Sequence, residues 1–369
     1  MRVLHINCNY LSSQLHETEI EYMNKADIES IVFVPTYFGN SDHVNMSNVN
    51  VVQCFNKNDR IIFDLKQAKI FSAINRKIAV ESYDCIHAYT LFTDGNVARK
   101  LNKKNNVPYV VAVRNTDVSI FFKKMFFLRK RGIGIMKDAE AIFFLSPAYK
   151  EIVLNEYVPE KYRKMINDKS FIIPNGIDPY WFENRYYRDN KEQSNNDINL
   201  IYAGRINANK NIKIALPVVK SLRNKGYSVR LIVAGKNQDQ KIYDSLLQAE
   251  HVTVYPELPK EELIKLYRMS DIFIMPSFTE TFGLVYVEAM SQGLPIIYTR
   301  GQGFDKQFPR GVVGYDVDPN DVNEIVSCIE KIIKNYNSIS KNCSENIDVY
   351  SWDRIVTLYK NKYEEIIEH

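Results

Sequence analysis

The 369-residue sequence has no C-x-x-C pair, no uninterrupted apolar run approaching the roughly 18 residues of a membrane-spanning helix, and no strong excess of either charge. Each absence removes a class of protein. The five cysteines, Cys8, Cys54, Cys85, Cys328 and Cys343, are odd in number and scattered, which fits free thiols in a reducing cytoplasm and leaves neither a disulfide framework nor a zinc site. A net charge of +4 is too mild to argue for a nucleic-acid partner. The N-terminus runs straight into an apolar strand at Arg2 to Asn7, without the basic and apolar regions of a secretory leader. A cytoplasmic protein is therefore expected, touching a membrane at most peripherally from its inner face. Internal repeats and low-complexity tracts are missing too. Gly301-x-Gly303 lacks the third glycine of a dinucleotide fingerprint, and the D-x-D at Asp316 to Asp318 runs into Pro319 and a polar turn, so neither is read as a cofactor or metal site.

What is present is an alternation of short apolar runs with longer amphipathic ones. Strands are expected at Val3 to Ile6, Ile31 to Pro35, Val51 to Cys54, Cys85 to Ala88, Tyr109 to Val113, Ala141 to Leu145 and Phe171 to Ile173. Helical patterns such as Phe92 to Leu101 and Ala148 to Tyr157 lie between some of them. The alternation restarts at Leu200 to Ala203, Val229 to Ala234, Val252 to Tyr255, Ile272 to Met275 and Leu294 to Tyr298. Strands alternating with helices imply mostly parallel sheets, and such sheets bind ligands beyond the carboxyl ends of their strands. Two domains are the default at this length. The expected division is 1–184, a polar linker at 185–197 and a second domain at 198–351, with an amphipathic C-terminal helix at 352–369 returning to the first domain. Trp352, Ile355, Leu358, Tyr359 and Tyr363 form the apolar stripe of that helix. The fold class is α/β, two Rossmann-like domains facing across a cleft.

Pro276 to Gly293, PSFTETFGLVYVEAMSQG, concentrates the chemistry. Glu280 lies in a Thr-rich turn after a strand, Gly283 stands where a helix should begin, and Glu288 follows on that helix. Gly293 and Pro295 stop it. A strand, tight turn and helix of this kind aim backbone N–H groups and a positive dipole end at whatever lies above the turn, a place suited to phosphate.

Four motifs follow one another: PNGID at Pro174 to Asp178, YAGRINANKN at Tyr202 to Asn211, LIVAGK at Leu231 to Lys236, and PSFTETFGLVYVEAMSQGLPII at Pro276 to Ile297. Together they resemble glycosyltransferase family 4, retaining GT-B enzymes that use nucleotide-diphosphate sugars. The resemblance covers nearly all of the second half and the end of the first. It implies that Arg205 and Lys210 neutralise the leaving diphosphate, aided by the amides of Phe282, Gly283 and Leu284, so that no metal or other cofactor is required. It further implies that Glu288 hydrogen-bonds the nucleotide ribose and that Glu280 holds the transferred sugar. The donor is then a UDP- or GDP-sugar and the acceptor a glycan or lipid-linked oligosaccharide, as in the building of bacterial surface polysaccharides. The base pocket is expected near Tyr255 to Leu258. Gly176 is read as a turn glycine with positive φ. Two other readings stay open, a sugar-nucleotide epimerase of the same architecture and a non-catalytic binding subunit.

The first half departs from that pattern. The stretch after the first strand, Asn7 to Glu17, has no glycine where many relatives are Gly-rich, and Arg114 to Asp117 stand where many place a His. Arg114 and Asp117 follow an expected central strand, which leaves them as contacts to acceptor or donor sugar, or as a buried ion pair. His87 ends another strand and is either a further cleft residue or, more simply, a structural His. Ile120 to Lys137, wound as one helix, would gather Phe121, Phe122, Met125, Phe126 and Leu128 opposite Lys123, Lys124, Lys130 and Arg131. Such a helix either lies on an anionic membrane surface or packs its Phe face on the sheet.

Overall fold

The computed structural model describes residues 1–39, 47–60, 62–188 and 196–368. They form two compact units, Met1–Gly176 with Trp352–His369, and Ile177–Ser351.

Seven strands build the first unit: β1 (Arg2–Ile6), β2 (Glu29–Tyr37), β3 (Val49–Phe55), β4 (Cys85–Ala88), β5 (Tyr109–Val113), β6 (Ala141–Phe144) and β7 (Ser170–Ile172). All are parallel, in the order β3-β2-β1-β4-β5-β6-β7. β4, β5 and β6 are buried along their whole length, as expected of strands covered on both faces. One face packs against helices Phe63–Lys77, Thr93–Asn105 and Arg129–Asp138. The other is covered by helices Leu15–Lys25 and Trp352–Ile367. On the last helix Trp352, Ile355, Val356, Tyr359 and Tyr363 are buried, whereas Leu358 is 38% exposed, so Val356 takes the place expected for Leu358.

The second unit adds β8 (Asp197–Ala203), β9 (Ser228–Ala234), β10 (Val252–Tyr255), β11 (Ile272–Ile274), β12 (Ile296–Thr299) and β13 (Gly314–Val317), parallel and ordered β10-β9-β8-β11-β12-β13. β13 escapes a hydrophobicity reading because it holds Asp316, whose carboxylate is taken by Arg300 Nε at 2.6 Å and Arg310 Nε at 2.8 Å. In each sheet the strand order reverses once, between β1 and β4 and between β8 and β11. Loops leaving the carboxyl ends of those pairs diverge and leave a crevice.

Four expectations need correction. The linker expected at 185–197 is in part secondary packing of the second unit: the amide of Tyr186 donates to Ser291 O at 2.9 Å, and the Arg188 guanidinium donates to the carbonyls of Tyr267, Ser270 and Gln292. Its polarity serves those bonds; 189–195 lie outside the described residues. The chain passes between units at Gly176 and Ile177, ahead of the boundary expected at 184. Residues 120–137 are not one helix but a π-helical turn (Asp117–Phe122), a 3₁₀ turn (Phe126–Leu128) and helix Arg129–Asp138, interrupted where Met125 leaves the helical region at φ −103°, ψ 58°.

Gly176 is not a positive-φ turn residue. A Cβ there would overlap the Trp352 indole, so glycine is required for close approach. Gly176→Ala is expected to destabilise the protein by about 1–3 kcal/mol through overpacking. Urea unfolding followed by Trp fluorescence measures this, and an unchanged midpoint would contradict it.

Candidate active site

The turn after β8 and the turn after β11 meet at the switch point of the second sheet. Asn207 caps a short 3₁₀ turn, Ala208–Lys210, its side chain accepting from the Lys210 amide at 3.0 Å. The next turn is sewn to it by Asn209 Nδ2 to Thr279 O at 2.9 Å, the Phe278 amide to Asn209 O at 2.8 Å, and Asn211 Nδ2 to Pro276 O at 3.1 Å. These bonds hold the Lys210 ammonium on the Glu280 carboxylate, an ion pair whose side chains are 13% and 11% exposed. Arg205, earlier in the same loop, is exposed, its guanidinium without a partner among the described residues, while its carbonyl accepts the Tyr202 hydroxyl at 2.6 Å.

Glu280 is braced from a third loop. Its amide donates to Gln302 Oε1 at 3.0 Å, and its carbonyl accepts from the Gly303 amide at 3.1 Å. A Cβ on Gly303 would collide with the Thr281 carbonyl, so this glycine lets the 301–303 backbone lie directly on the Glu280 turn. Sequence patterning missed that role because it weighed Gly301-x-Gly303 only as a phosphate loop. Gly283, at φ +83°, opens helix Leu284–Ser291. The amides of Phe282, Gly283 and Leu284 donate to no protein acceptor among the described residues, while the Phe282 side chain itself is buried.

Glu288 sits on that helix with no side-chain partner among the described residues. Desolvation, with Asp178 nearby and Lys260 partly offsetting both, pushes its carboxyl up to about 7. Asp178 and Lys260 pair at 2.6 Å, and Lys260 lies over the Tyr180 ring. Tyr267, whose buried hydroxyl has no partner among the described residues, also feels the Glu288 charge. In the sequence Asp178 is marked only by the PNGID run, and Lys260 and Tyr267 carry no signal.

In the first unit the three nominated residues are engaged internally. Asp117 is buried; it accepts from the amides of Leu91, Phe92 and Arg114 at 3.1, 3.1 and 2.9 Å. Burial still raises its carboxyl to about 6 against those amides. It ties the loop after β4 to the loop after β5, and it is neither exposed nor paired with the Arg114 guanidinium. Arg114 donates to Tyr89 O at 3.2 Å and Asn175 Oδ1 at 3.1 Å. His87 is fully buried, its Nδ1 2.6 Å from the Tyr363 hydroxyl and its ring stacked on Tyr89, on the face covered by helix Trp352–Ile367. It is structural, and desolvation holds its imidazole well below the usual range.

At the carboxyl ends of β1 and β4 lies a group not anticipated. Asp94 Oδ2 accepts from Thr90 Oγ1 at 2.9 Å and from the Cys8 amide at 3.5 Å, while Oδ1 is buried without a partner among the described residues. Burial pushes Asp94 to about 7. All five cysteines are free thiols, and only Cys8 is partly exposed.

Against known proteins, residues 184–348 match the family described as glycosyl transferases group 1, the stretch that holds Arg205, Lys210, Glu280 and Glu288. The chain is 24% identical over 313 residues to alpha-monoglucosyldiacylglycerol synthase of Acholeplasma laidlawii, covering 79% of this chain and 78% of that protein. Among solved structures, sucrose-phosphate synthase of Thermosynechococcus elongatus superposes with a TM-score of 0.73 at 17% identity, over 100% of this chain and 99% of that one. HepE of Anabaena, in complex with UDP and glucose, gives 0.66 at 17% identity, over 99% and 100%. The fold class is that of the GT-B glycosyltransferases. Together the family match and the relatives support a glycosyltransferase.

Because the Glu288 carboxyl titrates near 7 in the folded protein and near 4.5 when exposed, the folded state binds the extra proton between those values. Stability contributed by the protonated form is present below pH 4.5 and lost as pH rises through 7. Glu288→Gln is therefore expected to match wild type at pH 4 and to exceed it by about 1–3 kcal/mol at pH 8. Thermal melts across that range report the difference, and an equal gain at both ends would contradict the assignment.

Proposed function

We propose that this protein is a retaining glycosyltransferase of family 4 that moves a hexosyl group from a UDP- or GDP-sugar to a hydroxyl of a glycan or lipid-linked oligosaccharide. The observation that carries the reading is the Lys210–Glu280 pair, with Arg205 unpartnered earlier in the lysine's loop and Glu288 unpartnered on the following helix. Two cations and three free amides suit a diphosphate whose charge grows as the anomeric C–O bond breaks. Such donors supply the stabilisation that a divalent metal would otherwise give, so the reaction proceeds without one. Glu288 receives the ribose hydroxyls; pairing there relieves a desolvated carboxylate. Glu280, already oriented by Lys210, holds hydroxyls of the transferred sugar.

In the transfer step the bond from the anomeric carbon to the diphosphate oxygen breaks. The acceptor oxygen bonds to that carbon from the same face, and the acceptor proton passes to the departing phosphate. Arg114 is the side chain nominated for contact with the acceptor, with Asp117 and His87 as its supports. HepE with bound UDP and the A. laidlawii glycolipid synthase favour a uridine nucleotide and a lipid acceptor respectively. The setting is bacterial surface polysaccharide synthesis at the cytoplasmic face of a membrane, with peripheral attachment.

Thermal-shift titration with UDP, GDP, ADP and their sugars should raise the melting temperature selectively for one nucleotide, since a ligand at 100 times its Kd contributes about 2.7 kcal/mol. With that donor, Glu280→Ala is expected to lower transfer by at least about 100-fold with nucleotide binding retained, the loss typical of a transition-state contact. Glu288→Ala should mainly raise the donor Kd. Wild-type turnover in both variants would refute the site. Release of a modified nucleotide sugar without any acceptor would identify an epimerase, and binding without turnover a non-catalytic subunit.

A further inference from the structure

The segment 120–137 carries six cations, Lys123, Lys124, Arg129, Lys130, Arg131 and Lys137, and no acidic residue. As a single amphipathic helix it would present one Phe face. The structure divides those side chains differently. Phe122 and Leu128 are buried in the core and Phe121 and Met125 pack against it, whereas Phe126 and Phe127 are 71% and 65% exposed, with Ile120 at 42%. A second element joins them. The start of helix Phe63–Lys77 is fixed to this segment by the Phe63–Phe121 ring contact and the Arg131–Asp64 ion pair, and it exposes Ile62 at 58% and Leu65 at 41%.

Five large apolar side chains thus stand free at one end of the first unit. Lys123, Lys124 and Lys130 are exposed among them, with no ion-pair partner among the described residues. The acids that flank this segment are already engaged, Asp117 by backbone amides and Asp138 by Arg99, and on the second element Asp59 and Asp64 are held by Lys69 and Arg131. Adjacent aromatic rings projecting from a short 3₁₀ turn, flanked by uncompensated ammonium groups, complement an apolar interior beneath an anionic surface.

We propose that this two-element tip, Phe126–Phe127 with Ile120, Ile62 and Leu65, seats the protein on an anionic lipid bilayer, the aromatic rings entering between acyl chains and the three lysines meeting headgroup phosphates. The proposal deepens the glycosyltransferase reading by naming where a lipid-linked acceptor is met, and rests on it only for that acceptor. Attachment itself needs no nucleotide sugar.

The full chain is sedimented with vesicles of phosphatidylcholine alone and of phosphatidylcholine mixed with phosphatidylglycerol. Wild type should bind the anionic vesicles and release as sodium chloride is raised. Phe126→Ser with Phe127→Ser should weaken partition by about tenfold or more, two lost aromatic anchors being a large share of a marginal attachment. Lys123→Ser, Lys124→Ser and Lys130→Ser together should abolish the preference for anionic lipid. Equal melting temperatures and equal nucleotide-induced shifts in all variants separate this result from misfolding and from failure of the donor site. Equal sedimentation with both vesicle types, or a Phe variant that binds as wild type does, would overturn the proposal. So would a wild-type dimer that the Phe variant dissolves without any vesicle binding, which would give the surface to a second copy of the chain.

Discussion

The ion pair between Lys210 and Glu280 is the contact that fixes the loops at the second sheet's switch point to each other. It joins two loops that leave neighbouring strands at the point where strand order reverses, and both side chains are about nine-tenths covered. Two charges so placed are stabilised chiefly by each other, and removing either leaves the other uncompensated. The surrounding bonds keep the pair from drifting: Asn207, Asn209 and Asn211 hold the lysine turn, and Gln302 and Gly303 hold the glutamate turn. Charge and geometry at this point are therefore set by the fold itself.

Other acids in the chain show the contrast. Asp117 is buried with three amide donors, Asp94 is buried with two donors, and Glu288 is half-buried with no side-chain partner among the described residues; desolvation raises all three above the ordinary carboxylate range. Asp117 spends its oxygens on the backbone and so fixes two loops of the first unit. Glu288 keeps its oxygens uncommitted, a state that a folded protein sustains only at some expense in stability and that a hydroxyl-rich ligand would relieve.

Strands were legible in the sequence wherever burial on both faces made a continuous apolar run, as in VVAV at the end of β5 or IIYT in β12. β13 was not, because a buried charged residue, Asp316, breaks its apolar run and is tolerated only through Arg300 and Arg310. The Lys210 and Glu280 turns were readable from motif spacing, but their mutual contact crosses seventy residues and has no local trace. Arg114 and Asp117 could be placed at a strand end, yet not assigned, since the partners that occupy Asp117 are backbone amides of Leu91 and Phe92. His87 had the same ambiguity until Tyr363, at the far end of the chain, supplied its partner. Residues 120–137 misled because helical periodicity cannot register a break at Met125, a residue with good helix propensity.

The return of helix Trp352–Ile367 to the first unit has a consequence for biosynthesis. The second unit, Ile177–Ser351, is encoded as an uninterrupted block inside the first, so a ribosome delivers every residue of it before the first unit's last helix emerges. Domains generally fold as units during synthesis. Until helix Trp352–Ile367 has been made, one face of the seven-stranded sheet, with Val3, Cys85, Val110 and Phe143, lacks the cover that Ile355, Tyr359 and Tyr363 provide. The first segment made is thus the last to be finished, its sheet still half-clad when the second unit has already been synthesised in full.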